Sequence, residues 1–324
     1  MSQGESVEAL QYIRKLRGGS QPILVKANDG FFYVVKFLNN LQGTQSLFNE
    51  AVGTELFGCA GLPVPEWRPV HITEDFLDRN PWCWMETEDG RRRPKDGWCF
   101  GSRFLGLRNV TLFEILPSSS FSRIVNRADF LTAWVLDAFC GHADNRQAVF
   151  MERKSRWLDA HFIDHGHLFG GALGVETPSF LTSRYLDPRI YAHASSEDAS
   201  GIQRAIQGLD LTALSNVACG LPEGWSTDRA MMNFERFTRL VSDSVLLKNV
   251  IQFILGTVEH TEEGHDSCLA QYAVRYKRKS VRTQILPSGV DDRAGDGASS
   301  FVGNEKRRGP QAVRPSYAYA ANFG

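Results

Sequence analysis

The stretch Gly141–Gly171, GHADNRQAVFMERKSRWLDAHFIDHGHLFGG, constrains the fold most, because it sets two acidic residues, Asp144 and Asp164, in loops that each follow an apolar run. The segment FLTAWVLDAFC precedes Asp144, and the short run HFI precedes Asp164. By length, the first fits a helix and the second the end of a strand. The order is then helix, loop, strand pair, loop, with the hairpin made of AVFME, a turn at RKSR, and WLDAHFI. Carboxylates at the mouths of two adjacent strands, with Gly166 two residues after the second, can converge on one divalent cation and one reacting hydroxyl. Asp-Asn and Asp-His-Gly also suit ordinary turns, so the pair alone leaves both readings open.

Protein kinases use such a geometry, and their other half is a basic residue inside a strand followed by a helix carrying a glutamate. Both occur upstream. Phe31 to Leu38 reads FFYVVKFL, a strand containing Lys36, and SLFNEAVGTELFG from Ser46 has helical spacing and carries Glu50. A lysine within an apolar strand is costly unless a charge meets it, so Lys36 requires a partner. Glu50 is the first candidate and Glu55 the second.

With 324 residues the chain suits one large domain or two lobes, and its net charge of -1 gives no global electrostatic argument for nucleic acid or an anionic membrane. No stretch approaches the ~20 apolar residues of a membrane span. Six cysteines without a CxxC pair read as reduced thiols of a cytoplasmic protein.

Taken in order, Val7, Leu10, Ile13 and Leu16 recur at helical spacing, which predicts an amphipathic helix over residues 5–17 stopped by Gly18-Gly19. The strand ILVKA, the turn Asn28-Asp29-Gly30 and the Lys36 strand follow as a hairpin. The glycine-rich entry to that hairpin, Gly18, Gly19, Ser20 and Gln21, could lay backbone N–H groups against phosphates, although Gly-Gly also serves simply as a helix stop. PEWRPVHI reads as extended chain, ETEDGRRRPKDG as a solvated hairpin tip, and WCFGSRFL as the last strand of a first lobe spanning 18–116. Pro117-Ser-Ser-Ser120 marks the crossing, and Asn126 with Asp129 reads as an N-cap opening a helix that Gly141 stops. Asp187, Arg189 and Tyr191 are expected to pin the segment after Gly171, and helical periodicity at 199–218 and 228–257 completes a second lobe of 117–274. From 275 to 324 the composition turns basic, then Gly-, Ser- and Asp-rich with few apolar residues, as in a disordered tail.

The ordered set GGSQP, YVVKF, FNE, GLPVP, FGSRF, HADNRQAVF and FIDHG resembles the HipA-like kinase family, relatives of the bacterial persistence toxin kinase, over residues 17–258. The resemblance implies an α+β, bilobal protein-kinase-like fold that binds ATP and magnesium. It implies Lys36 on the α and β phosphates, Asp144 as catalytic base, Asp164 as the magnesium ligand of a DHG in place of DFG, and a protein substrate. An antitoxin-like partner is compatible with it. One position departs from the pattern: five residues after the catalytic aspartate, where such kinases carry a metal-binding asparagine, stands Val149. Gln147, at a different offset, is the candidate to replace it as a metal ligand.

Two other readings stand beside the kinase. One is a nucleotide-binding pseudokinase acting as an interaction module. The other is a metallohydrolase built on His142, Asp144, Asp159, His161, Asp164, His165 and His167, although neither HExxH nor HxHxDH is present.

Overall fold

In the computed structural model, which describes residues 7–106, 110–153, 156–171, 183–195 and 197–262, the segment expected as an N-terminal helix is a strand, β1 (Val7–Lys15). The pairing of β1 with β2 (Ile23–Ala27) shifts register between Ala9 and Gln11 and again between Tyr12 and Arg14. Each bulge adds a residue and resets which side chains face inward. The side chains on the barrel core are Ala9, with Val7 and Tyr12 packed against it, so the spacing of three shared by Val7, Leu10, Ile13 and Leu16 marks no common face. Leu10 is 50% exposed whereas Ala9 is buried, the reverse of the helical expectation.

The Asn-Asp-Gly turn joins β2 to β3 (Phe32–Lys36), and α1 (Gln45–Cys59) and β4 (Trp67–Ile72) follow. The short helix α2 (Glu74–Arg79) leads to a small hairpin, β5 (Met85–Thr87) and β6 (Gly90–Arg92), and then to β7 (Gly97–Arg103). Strands β1, β2, β3, β7 and β4 close a barrel in that order, with β1 and β4 meeting in parallel. Val25, Val35, Phe37, Val70, Ile72 and Cys99 fill one core cluster with α2 behind it.

Strand β8 (Leu112–Phe113) already pairs with β9 (Gln147–Glu152), so the chain leaves the barrel before Pro117 rather than at it. Helix α3 (Asp129–Cys140) ends at Gly141 in the left-handed region, as expected of a glycine stop. Its cap differs from expectation. Asn126 does not cap it: its amide donates to Asp129 and to Ala160 O and accepts from Ala160 N, tying α3 to β10 (Leu158–Ile163). Strands β10, β9 and β8 form a three-stranded sheet. Helices α4 (Asp198–Gln207), α5 (Leu211–Cys219), α6 (Asp228–Val241) and α7 (Ser244–Glu262) pack with α3 around Trp134, Phe150, Phe234 and Ile254. The Asp187–Arg189 ion pair and the hydroxyl of Tyr191, which accepts from Tyr185 N, hold the segment before α4.

The architecture is thus α+β in two parts, strand-rich first and helical second, as expected of a kinase-like chain. Eleven of the fifteen residues of α1 are buried, so this helix is wedged between the parts rather than lying on a surface. Phe48 and Val52 join the helical core, while Leu47 and Ala51 pack with Trp67, Phe100 and Trp225. No single helix among the described residues is long and apolar enough to cross a membrane, and the five described cysteines are free thiols. The tail expected from 275 lies outside the described residues.

Candidate active site

A cleft of about 870 Å³, counting its open mouth, separates the barrel from the β8–β9–β10 sheet. Lys36, at the end of β3, is buried in its floor and is met by two carboxylates: Glu50 of α1, and Asp164, whose Oδ1 lies 2.7 Å from Nζ. The pair expected between Lys36 and Glu50 is present. Glu55 serves elsewhere, accepting from the Trp67 indole at 2.8 Å.

Glu50 does more than neutralise the lysine. Its Oε1 accepts from Gly166 N at 2.8 Å and its Oε2 from His165 N at 3.2 Å, so it binds the loop after β10 to the helix. Asn49, one residue earlier, donates to Gly166 O at 2.8 Å and Leu168 O at 2.7 Å. Two glycines permit the approach. A Cβ on Gly53 would lie 2.6 Å from His165 Cβ, and one on Gly166 would lie 2.9 Å from Glu50 Oε1.

Asp164 stands at φ +61°, a left-handed conformation that Asp tolerates better than most residues, and this turns its carboxylate off the end of β10 into the cleft. The Gln147 amide donates to its Oδ2 at 2.7 Å. Burial alone would push the Asp164 carboxyl up, but the Lys36 ammonium outweighs it and holds the group well below the usual carboxylate range. Burial raises Glu50, and Lys36 offsets part of that rise.

Asp144 lies in the loop between α3 and β9 and accepts only from the adjacent Asn145 N, at 2.7 Å, among the described residues. Burial raises its carboxyl above the usual range, and the charge of nearby Asp164 adds to the rise. The two loops are joined where Ala143 N donates to His167 O at 3.0 Å, and the His167 ring meets the amide of Gln42, ahead of α1, at 2.9 Å. Below them the buried Arg146 grips both carboxylate oxygens of Asp137 on α3 and donates to Ile163 O at 2.9 Å, the carbonyl just before Asp164. Arg146, Asp137 and Asn49 were not singled out by sequence reasoning. An aspartate inside FLTAWVLDAFC was the available signal, since a charge in an apolar helix demands a partner as Lys36 does.

Gln147 and Val149 lie two apart on β9, so both point to one face, and Val149 lines the cleft. The register sets Gln147 opposite Ile163, next to Asp164, and the strand carries Val149 away from it. The residue beside the metal-ligand candidate is therefore Gln147. Asp164 with the Gln147 amide oxygen offers only hard oxygen donors, which suit magnesium.

Gly18, Gly19, Ser20 and Gln21 are not brought to this cleft, although Leu16 just before them lines it. The Gln21 side chain is committed to the β5 backbone, donating to Glu86 O at 2.7 Å and accepting from Glu86 N at 2.8 Å. The residues of the metallohydrolase reading also part company. Asp159 is bound by Arg153, and among the described residues no three His, Cys, Asp or Glu side chains gather as metal ligands.

No family model matches this chain, and no curated protein matches it. Among solved structures it is similar to the Golgi casein kinase with Mn and ADP bound, at 11% identity and a TM-score of 0.40, covering 78% of this chain and 72% of the other. A second structure of the Golgi casein kinase gives 11% identity and a TM-score of 0.42, covering 79% and 73%. At that level neither carries its function to this chain.

Proposed function

We propose that the chain is an ATP- and magnesium-dependent phosphotransferase, a HipA-like serine/threonine kinase acting on a hydroxyl of a protein side chain. One observation carries this: Lys36 at the cleft floor, joined at once to Glu50 of the helix and to Asp164 of the following loop, with Asp144 beside them. That is the ion-pair arrangement phosphoryl transfer requires for positioning phosphates and cation.

Each residue then has a role. Lys36 holds the α and β phosphates, and Glu50 keeps its ammonium in place. Asp164 and Gln147 would hold the magnesium ion, which supplies neutralisation of phosphate charge when bound. Asp144 orients the acceptor hydroxyl and takes its proton as the new O–P bond forms and the bond to the ADP oxygen breaks. A carboxyl raised by burial suits a base better than an ordinary aspartate. The protein substrate, an antitoxin-like partner and a cytoplasmic setting belong to the same proposal.

ATP turnover with magnesium, compared between the wild type and Asp164→Ala, tests it. Turnover in the wild type that is lost in the variant is expected, and equal rates in the two would reject the assignment. The pseudokinase reading is favoured by one observation, the apolar Val149 where an asparagine is expected to hold a metal. A wild type that binds ATP and transfers nothing, itself included as acceptor, would select that reading.

A further inference from the structure

His167 stands where three loops meet. Its carbonyl accepts from Ala143 N at 3.0 Å, one residue before Asp144, and its ring Nε2 lies 2.9 Å from the amide nitrogen of Gln42, ahead of α1. Charge on the half-buried ring would be felt by the carboxyls of both Asp144 and Asp164, drawing each down, so the imidazole lies near both. The cleft that holds Lys36 is lined by Asp164 and His165 but not by His167. The ring therefore sits past Asp164, on the side where the Asp144 loop joins.

The Gln42 contact fixes the ring proton. An amide nitrogen has only hydrogens to share, so the ring Nε2 accepts and, in the neutral imidazole, the proton is on Nδ1. Nδ1 faces Gly171, where a Cβ would lie 3.5 Å from it and 3.4 Å from Ala143 Cβ. With no side chain at 171, and no hydrogen-bond partner for Nδ1 among the described residues, this donor stands open beside the Asp144 loop. Arg146, the other basic side chain felt by Asp144, is taken up by Asp137. A donor held in place without an acceptor suits an anionic group brought by a ligand. With the α and β phosphates at Lys36 and the acceptor hydroxyl at Asp144, the anionic group between them is the γ-phosphoryl.

We infer that His167 is a further catalytic residue, its Nδ1–H donating to an oxygen of the γ-phosphoryl group as that group passes from ATP to the acceptor. This rests on the proposed phosphotransferase reading of the site. The new O–P bond forms as the bond to the ADP oxygen breaks, the acceptor proton goes to Asp144, and the Nδ1 proton stays on the imidazole. A donor already fixed by Gln42 needs no reorganisation as charge shifts on the transferred oxygens.

Calorimetric titration of the full chain with magnesium and ATP or ADP tests it, in the wild type, His167→Ala and His167→Phe, the last keeping a ring without a donor. ADP lacks the γ-phosphoryl group and so reports on the rest of the site. In both variants the affinity for ATP relative to ADP should fall about tenfold, as for one hydrogen bond to a charged acceptor, with ADP affinity nearly unchanged. Single-turnover transfer at saturating ATP should fall as well. An unchanged ratio in either variant, an equal loss of both nucleotides, or undiminished transfer would overturn the role of His167 and leave the nucleotide site standing. A folded wild type that binds neither nucleotide would overturn both.

Discussion

Asp164 and Asp144 sit in neighbouring loops, but Asp164 is gripped by Lys36 and Gln147 whereas Asp144, among the described residues, accepts only from the amide beside it. Their electrostatics diverge accordingly. The lysine holds Asp164 ionised, while burial lifts Asp144 toward taking a proton. Their supports differ as well. The Asp164 loop is tied to α1 through Glu50 and Asn49, whereas the Asp144 loop hangs on Arg146 and its partner Asp137 in α3. Two aspartates of the same sequence character are thereby given separable tasks, one as a fixed negative charge and one as a base.

Replacing Asp144 by Asn should break the comparison most. Transfer should fall by roughly 10²- to 10⁴-fold, the contribution of a positioned base, with ATP affinity nearly unchanged. Single-turnover transfer beside a binding titration reads both, and a variant that transfers normally contradicts the role. Asp137→Ala tests the support beneath that loop. It leaves the Arg146 guanidinium buried without its carboxylate, a loss of about 3–5 kcal/mol in urea unfolding, and a loss below about 1 kcal/mol would show that the pair is dispensable. On the other side, Gly166→Ala forces a methyl against Glu50 and should cost about 1–3 kcal/mol by the same measurement. Unchanged stability would mean that the loop and α1 are not locked together.

The smallest effect is a displacement along the pH axis. Asp144 must be ionised to accept a proton, and its carboxyl is raised, so activity is present above the raised value and lost as pH falls through it. The acid limb of transfer should therefore lie above the ~3.9 of an ordinary aspartate. A limb at or below that value would remove burial as the factor tuning Asp144.

Much of this site was legible in the chain because a charge in an apolar run has few ways to exist. Lys36 in FFYVVKFL required a partner, and Glu50 is that partner. The two apolar runs before Asp144 and Asp164 gave α3 and β10 nearly to the residue. The same rule applied to Asp137 leads to Arg146, so that pair was within reach. β1 was not, because its bulges interrupt the strand period, and bulges arise from pairing with β2 rather than from local sequence. Gln21 was misplaced for a related reason: its partner, the Glu86 backbone, is 65 residues away.

The central claim is that Asp164 is the residue through which magnesium joins the nucleotide. Measuring ATP affinity with magnesium and with a chelator, in the wild type, Asp144→Asn and Asp164→Asn, addresses it most directly. Magnesium is predicted to strengthen binding in the wild type and in Asp144→Asn and to bring little gain in Asp164→Asn, where a neutral amide replaces the carboxylate. An equal gain in all three would contradict the claim.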